Sequence, residues 1–309
     1  MWRTMRRVLL WMARDRWLKD HLPRLPFAKR AVRRFMPGER LEDALTAADR
    51  ENSAGFGVLF TRLGENVTDL AQADEVAGHY HDVLERGRRR VRRIEISVKP
   101  TQLGLNIDPA ACEQHCRDLA RHAQETETWF WLDMEGSDYT EATLALYERL
   151  KLDHERVGIA LQAYLKRTAA DVQRILPLRP CVRLVKGAYD EPAAIAYRST
   201  TAVDGNYQAL AISLAEATRD GRARLALGTH DSDLIERITT MAEAAGVPRS
   251  ALEVHMLFGI RRDELVRYAA AGHPAYSLVA YGESWYAWYM RRLAERPANV
   301  IFALRQLLP

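Results

Sequence analysis

From residue 55 onward, short runs of β-branched and aliphatic residues alternate with longer stretches of helical periodicity. Short apolar runs bounded by glycine, proline or polar residues predict buried strands, and the periodic stretches predict amphipathic helices. The pattern predicts eight strands, at residues 57–61, 93–98, 128–133, 157–164, 181–186, 224–229, 251–257 and 276–281. Eight strands with helices between them are the count of an α/β (βα)8 TIM-type barrel, which we predict for residues 53–309.

Capping signals support two of the predicted helices. Asp108 and Pro109 fit the N-cap and first helical position of a helix over residues 110–125. Asp231 opens a second helix, over 232–245, which ends before Gly246.

The first 52 residues differ from the rest, because arginine and aromatic residues are concentrated there. We predict a short N-terminal helical arm that Pro23, Pro26 and Pro37 divide into pieces. Its longest apolar run, residues 8–13, is too short to span a bilayer. We expect the arm to pack on the barrel, and the alternative is an amphipathic helix lying on a membrane surface.

The composition indicates a globular chain with free thiols. A chain of 309 residues that is 48% hydrophobic and 28% charged can bury a large core. Cys112, Cys116 and Cys181 are too few for a disulfide framework and indicate a reducing compartment, so we expect a cytoplasmic protein with peripheral contact at the inner face of the membrane as the alternative. Cys112, His115 and Cys116 share one helix face, but core packing is favoured there over a metal site.

Charge adds two alternatives to this picture. The net charge of +4 is concentrated towards the amino terminus and permits an acidic membrane surface or anionic ligands. The run 86–93 contains six arginines, which is compatible with nucleic-acid binding. The run lacks interleaved aromatic residues, so a solvated or subunit-contacting patch is favoured and no nucleic-acid partner is expected.

A barrel has its active site at the carboxyl ends of its strands, so polar groups at those positions test the prediction. Such groups end or follow every predicted strand, at Arg62, Glu65, Lys99, Asp133, Glu135, Gln162, Arg183, Lys186, Thr229, His230, Asp231, His255, Arg291 and Arg292. Their joint placement predicts a polar site with several cations, suited to an anionic substrate and a phosphate-bearing cofactor.

The segment 181–189, Cys-Val-Arg-Leu-Val-Lys-Gly-Ala-Tyr, carries two cations in a buried strand pattern. Arg183 and Lys186 are costly in a core unless they are paired or face a polar cavity. Gly187 lets the backbone approach a ligand, and the amides beside Lys186 suit an anion. Two alternatives stay open: cations that merely reach solvent, and a Schiff-base aldolase with Lys186 as its nucleophile.

The last helical stretch places two arginines after an aromatic turn at residues 285–289. The guanidinium groups of Arg291 and Arg292 present planar donor pairs that match a carboxylate, and Glu295 one turn later would orient one of them. The alternative is an ordinary solvated charged face.

Six blocks, in order from about residue 55 to the end, resemble the monofunctional bacterial proline dehydrogenases. They are Glu-Ile-Ser-Val-Lys-Pro-Thr-Gln-Leu-Gly around Lys99, Leu-Asp-Met-Glu around Asp133, Leu-Gln-Ala-Tyr-Leu around Gln162, residues 183–189, Thr-His-Asp at 229–231 and Arg-Arg-Leu-Ala-Glu-Arg-Pro from Arg291. The resemblance implies a distorted (βα)8 barrel with non-covalent FAD. It implies oxidation of L-proline to 1-pyrroline-5-carboxylate, with hydride passing to FAD N5 and electrons to a membrane quinone. A separate pyrroline-5-carboxylate dehydrogenase would act on the product.

The same resemblance implies a role for each block. The substrate carboxylate would be bound by Lys99, Arg291 and Arg292, with Glu65 paired to Arg291 as part of a gate. Asp133 and Arg183 would order the reacting centre. FAD would be bound by Met134, Gln162, Arg183, Lys186, Gly187, Ala188, Thr229 and His230. No glycine-rich dinucleotide fingerprint follows a strand, so a pyridine nucleotide is not expected as the acceptor.

This sequence departs from the family pattern at two places. Leu278, thirteen positions before Arg291, stands where the family usually has a tyrosine that packs on the substrate ring. His255 stands where the family commonly has glutamine, and Val254 replaces an aromatic residue. Relatives that prefer 4-hydroxyproline have a smaller residue at the position of Leu278, so 4-hydroxyproline or another cyclic imino acid is an alternative substrate.

Overall fold

Eight parallel strands close into a barrel in sequence order. The structure is a computed structural model that describes residues 5, 8, 9, 11–13, 15–22, 32 and 35–295. The strands are β1 (Gly57–Arg62), β2 (Ile94–Val98), β3 (Trp129–Leu132), β4 (Val157–Gln162), β5 (Cys181–Val185), β6 (Arg224–Gly228), β7 (Leu252–Leu257) and β8 (Ala275–Tyr281). β8 pairs with β1, with Gly57 beside Tyr276, and this pairing closes the barrel. The predicted (βα)8 architecture is confirmed.

Helices surround the strands. In the described part of the chain they are α1 (Arg16–His21), α2 (Leu41–Ser53), α3 (Leu70–Gly87), α4 (Pro109–Glu125), α5 (Ser137–Asp153), α6 (Thr168–Ile175), α7 (Thr200–Arg219), α8 (Ser232–Ala244), α9 (Arg262–Ala270) and α10 (Trp285–Glu295). Short 3-10 turns lie at Pro100–Leu103, Leu176–Leu178 and Arg249–Ala251. Both capping predictions are confirmed: the Asp108 carboxylate accepts from the first turn of α4, and that of Asp231 accepts from the Leu234 N–H.

Some predicted strands run too far at their carboxyl ends. The run 157–164 leaves the strand after Gln162, and the run 128–133 leaves it after Leu132. Asp133 and Lys186 therefore lie in the loops that cover this end of the barrel. A barrel strand and the loop that follows it are both rich in apolar residues here, so the hydrophobic pattern alone did not separate them.

The segment before β1 packs on the barrel in two places. Helix α2 contacts β1 and β8, and its residues Ala44, Leu45 and Ala48 are buried in the main core. Leu9 and Ala13 belong to a second apolar cluster together with the aromatic residues of α10. The described residues of the arm thus have the expected packing, while a domain boundary at residue 52 stays a prediction. No helix among the described residues is both long and apolar enough to cross a bilayer.

The amino-terminal half of the barrel interior contains a charged cluster. Arg224 lies 2.6 Å from Glu95 and 2.7 Å from Glu253, and His255 Nε2 lies 3.0 Å from Glu253. Burial opposes ionisation of Glu253, but the charge of Arg224 outweighs it and lowers the pKa of Glu253 to about 2. His255 stacks on Tyr276 in this cluster. His255 thus makes its polar contact in this cluster, and its place in the site at the strand ends stays a prediction.

The arginine-rich run 86–93 is engaged by acidic residues on the outside of the barrel. Arg86 and Arg90 both contact Glu42, Arg90 also contacts Asp49 of α2, and Arg88 lies 3.0 Å from Glu85. These exposed ion pairs fit the solvated-patch interpretation of the run. Elsewhere on the surface, no three His, Cys, Asp or Glu residues of the described chain are placed to bind a metal.

Candidate active site

A buried ion pair lies at the carboxyl ends of β3 and β5. Arg183 Nη2 contacts the Asp133 carboxylate and donates to Ser97 Oγ at 2.9 Å. Ser97 Oγ in turn donates to Asp133 Oδ1 at 2.7 Å. Only 4% of the Arg183 side chain is exposed, so its charge requires these partners. Three strands thus contribute one residue each to a closed polar triangle.

The electrostatics of Asp133 favour its ionised form. Burial alone would raise the pKa of this carboxyl, but the charges of Arg183 and Lys99 and the hydrogen bond from Ser97 outweigh burial and lower its pKa. Lys99 is itself buried at the end of β2. The predicted residues Asp133, Arg183 and Lys99 are therefore brought together in one charged group.

A second ion pair joins α10 to the segment after β1. Arg291 of α10 donates to both carboxylate oxygens of Glu65, at 2.8 and 3.1 Å. Burial opposes the charge on Arg291, but the charge of Glu65 outweighs it and raises the pKa of Arg291. The predicted pairing of these two residues is present, with the two parallel hydrogen bonds that a guanidinium forms with a carboxylate.

Tyr189 is influenced by the charges of both ion pairs. The guanidinium of Arg291 lies 5.7 Å from the centre of its ring. Burial raises the pKa of Tyr189, and the charges of Glu65, Glu135 and Asp133 act in the same direction. Tyr189 thus lies beside the Arg291–Glu65 pair, and the charge of Asp133 also acts on it.

The second arginine of α10 lies beside an aromatic ring. The Arg292 guanidinium is 6.0 Å from the ring centre of Trp288, one turn earlier. This contact supports the view that the arginine pair is embedded among aromatic residues instead of fully solvated. The side chain of Glu295, which was predicted to orient one arginine, lies outside the described residues.

Lys186 lies between two carboxylates in the loop after β5. Its ammonium is 2.5 Å from Asp204 of α7 and 2.7 Å from Asp231. A Schiff-base nucleophile has to reach a substrate carbonyl carbon, whereas the Nζ of Lys186 is engaged by these two carboxylates. This geometry argues against the aldolase alternative.

Residues 44–305 match the family model for proline dehydrogenase. The chain belongs to the proline dehydrogenase family. It is 33% identical to proline dehydrogenase 1 of Bacillus subtilis over 277 residues, which are 90% of each chain. It is 32% identical to the proline dehydrogenase of Deinococcus radiodurans over 280 residues, which are 89% of each chain. The predicted resemblance is confirmed, and with it the oxidoreductase class.

A solved structure has the same fold. Proline utilization A from Bdellovibrio bacteriovorus superimposes with a TM-score of 0.77 and 21% identity over 93% of this chain. This chain spans 38% of the length of that larger protein. At this identity the likeness concerns the barrel fold, which agrees with the closed eight-stranded sheet described above.

Proline dehydrogenases are generally flavin-dependent, and the strand ends fit a flavin. Gln162 Oε1 and Arg183 Nη1 are buried and have no hydrogen-bond partner within the described part of the chain. A flavin ring edge offers both donors and acceptors to such groups. Gly187 has a φ of +112°, and a Cβ on it would lie 2.1 Å from the Tyr164 ring, so no other residue fits there without a shift.

The remaining residues predicted to bind the cofactor lie around the same strand ends. Gln162 Nε2 donates to the Met134 carbonyl at 3.3 Å, which ties β4 to the loop after β3. Thr229 Oγ1 accepts from the Asp231 N–H, and His230 Nε2 lies 3.3 Å from the Leu257 N–H. Ala188 follows Gly187 and is half-buried. The family motifs are thus brought into one ring of loops.

Leu278 of β8 is half-buried between two apolar groups, Trp131 in the barrel and the aromatic residues of α10. Neither neighbouring tyrosine replaces the tyrosine that the family pattern expects there. Tyr281 OH lies 2.8 Å from His79 Nε2 on the outside of the barrel, and Tyr276 stacks on His255 in the amino-terminal half. The wall at Leu278 is therefore an aliphatic one.

Sequence reasoning missed some residues of this site. Tyr189 was within the fourth motif but had no role, although its position directly after the Lys-Gly-Ala loop was a usable signal. Ser97 is one of several small polar residues in strands, and Asp204 lies in the first half of a long helix. No local pattern distinguishes these two, because their roles come from strands and helices that are distant in sequence.

Proposed function

We propose that this protein oxidises L-proline to 1-pyrroline-5-carboxylate with non-covalently bound FAD and passes the electrons to a membrane quinone. The observation that carries the proposal is the presence of two ion pairs, Arg291 with Glu65 and Arg183 with Asp133, in a member of the proline dehydrogenase family. A separate pyrroline-5-carboxylate dehydrogenase would use the product.

The cations of the site would bind the substrate carboxylate. Arg291 lies over the Tyr189 ring, Arg292 follows it on α10, and Lys99 follows β2 and acts on Asp133. Planar guanidinium donors match a carboxylate. Until substrate arrives, Glu65 neutralises Arg291, which supports its role as a gate. A clamp at the carboxylate fixes the ring carbon next to nitrogen, and such orientation is a main source of rate enhancement.

The residues at the strand ends would bind the cofactor and order the reacting centre. Bound FAD would supply the hydride acceptor. Arg183 and Gln162 offer buried polar atoms towards it, Lys186 offers a cation, and Gly187 with Ala188 offers close backbone approach. Met134, Thr229 and His230 would complete the binding loops. Asp133 keeps Arg183 in place through their ion pair.

One experiment tests this function directly. We expect the purified protein to be yellow, to release flavin into the supernatant on heating, and to reduce a soluble quinone when given L-proline. NAD should not be reduced, because no glycine-rich dinucleotide fingerprint follows a strand. A colourless supernatant from riboflavin-supplied cells, or efficient NAD reduction, would contradict the proposal.

Substrate choice depends on Leu278. An aliphatic wall leaves more room beside the substrate ring than a tyrosine does, and pockets distinguish small apolar changes by only about 1 to 3 kcal/mol. We expect weak discrimination between L-proline and 4-hydroxyproline or pipecolate, with L-proline still preferred. Leu278→Tyr should sharpen the preference about tenfold or more in kcat/KM ratios. A wild type as selective as the tyrosine variant would refute the relaxed pocket.

We also propose that the arm brings the protein to the membrane surface that contains the quinone. Trp11 and Trp17 are 62% and 63% exposed, and exposed tryptophans beside arginines favour the bilayer interface. Anionic vesicles should sediment the wild type, while Trp11→Glu with Trp17→Glu should lower the bound fraction severalfold. Leu152→Glu is the matched control, since Leu152 is 73% exposed on α5 and away from the arm. Equal binding of all three proteins would exclude this role of the arm.

A further inference from the structure

Glu135 is a buried carboxylate whose partners lie on a neighbouring loop. It follows β3, is 3% exposed, and accepts two hydrogen bonds from Thr101. The Thr101 hydroxyl donates to Glu135 Oε1 at 2.6 Å, and the Thr101 N–H donates to Oε2 at 3.0 Å. Burial raises the pKa of Glu135 to about 7. A buried carboxylate is costly, so the position is not explained by core stability.

Thr101 connects Glu135 to the loop that contains Glu65. It lies in the 3-10 turn that begins directly after Lys99. Its hydroxyl oxygen accepts from the Asn66 N–H at 3.0 Å, and its carbonyl accepts from the Val67 N–H at 3.3 Å. The hydroxyl thus donates to Glu135 and accepts from Asn66, which uses both of its capacities.

Asn66 is a constrained position next to Glu65. Its φ is +55°, a left-handed conformation that asparagine tolerates better than most residues other than glycine. Tyr139 OH donates to its side-chain oxygen at 3.3 Å. In the same turn as Thr101, Gln102 Nε2 donates to the Arg62 carbonyl at 2.9 Å. The backbone on both sides of Glu65 is therefore fixed to one turn, and Glu135 fixes that turn.

We propose that Glu135 and Thr101 are positioning residues for the carboxylate clamp. They hold the backbone next to Lys99 and Glu65. The Glu65 carboxylate can then accept both hydrogen bonds from Arg291. The inference rests on the proposed function only in that the clamp binds substrate. The contacts run from Glu135 to Thr101, from Thr101 to Asn66, and from the neighbouring Glu65 to Arg291.

Thr101→Val tests these contacts, because it removes the hydroxyl that bonds Glu135 and Asn66 and keeps the branched shape of the side chain. We expect KM for L-proline to rise about tenfold, or about 1.4 kcal/mol, while kcat and flavin content change little. The Asn66 amide loses its acceptor and should exchange hydrogen about tenfold faster or more. Thr101→Ser keeps the hydroxyl and should restore both values. Glu135→Gln keeps an amide that bonds Thr101 and should be much closer to wild type than Glu135→Leu.

Thr239→Val is the matched control. Thr239 of α8 is 1% exposed, and its hydroxyl has no hydrogen-bond partner in the described part of the chain. It should leave both KM and Asn66 exchange unchanged. Unchanged KM and unchanged Asn66 exchange in Thr101→Val, or failure of Thr101→Ser to restore them, would overturn the inference. A wild type that does not oxidise proline would instead remove the proposed function, and Asn66 exchange would still decide the role of Thr101.

Discussion

Replacing Arg183 by methionine should destabilise the protein by about 3 to 5 kcal/mol. The substitution keeps most of the side-chain volume but leaves the half-buried carboxylate of Asp133, with 19% of its side chain exposed, without its ion partner. Ser97 would still donate to Asp133, and Lys99 would still act on it, but neither forms the direct ion pair. Urea unfolding at neutral pH measures the loss.

The pH dependence of this loss gives a second check. In the wild type the lowered pKa of Asp133 contributes stability that is present above the unfolded value of about 3.9 and is lost as pH falls through the folded pKa. Without Arg183 the dominant effect is burial, which raises a carboxyl pKa. The deficit of the variant should therefore shrink when pH is lowered from about 8 to about 5, because Asp133 then becomes neutral.

Two further variants separate the ion pair from general damage. Arg183→Met combined with Asp133→Asn removes both charges and should regain much of the lost stability. Arg174→Met removes an arginine that also has two carboxylate partners, Glu141 and Glu148, but on the surface. It should cost about 1 kcal/mol or less. A loss in Arg183→Met no larger than that of Arg174→Met would contradict the assignment of a buried, mutually dependent pair.

The barrel was predictable because its strands are buried on both faces. Runs such as Val182, Leu184 and Val185 carry no alternation that could be mistaken for a solvent-exposed sheet, and helical stretches separate them regularly. The location of the site followed from a rule about strand ends and not from any single residue. That is why Asp133, Arg183, Glu65 and Arg291 were predicted to lie near one another and do.

A sequence does not specify where along the barrel axis an interior side chain lies, and this limits the prediction of the site. His255 and Arg183 both occupy the interior of strands, yet His255 belongs to the charged cluster around Arg224 and Arg183 to the site. The position along the axis is set by the strand register across the sheet, for instance His255 beside Tyr276. Asp204 was missed for a different reason, since only the folding of α7 over β5 brings it to Lys186.

The second large effect is expected at the clamp itself. Arg291→Met should weaken binding of L-proline about ten- to hundredfold, because each charge-assisted hydrogen bond contributes about 1.5 to 3 kcal/mol. The loss should exceed that expected from charge alone, since Arg291 presents a planar donor pair that already fits the two oxygens of Glu65. Arg291→Lys keeps the charge without the planar pair and should fall between methionine and wild type.

Equilibrium titration of the oxidised protein with a non-reacting carboxylate analogue of proline measures this affinity without turnover. Arg292→Met should also weaken binding, whereas Arg267→Met should not, because Arg267 is an exposed arginine of α9 paired with Glu236 and Glu264. Glu65→Gln removes the charge that holds Arg291 in its two-bonded geometry, so affinity should fall, but by less than in Arg291→Met. Unchanged affinity in both Arg291→Met and Arg292→Met would remove the clamp, since no other described pair of guanidinium groups on α10 could replace them.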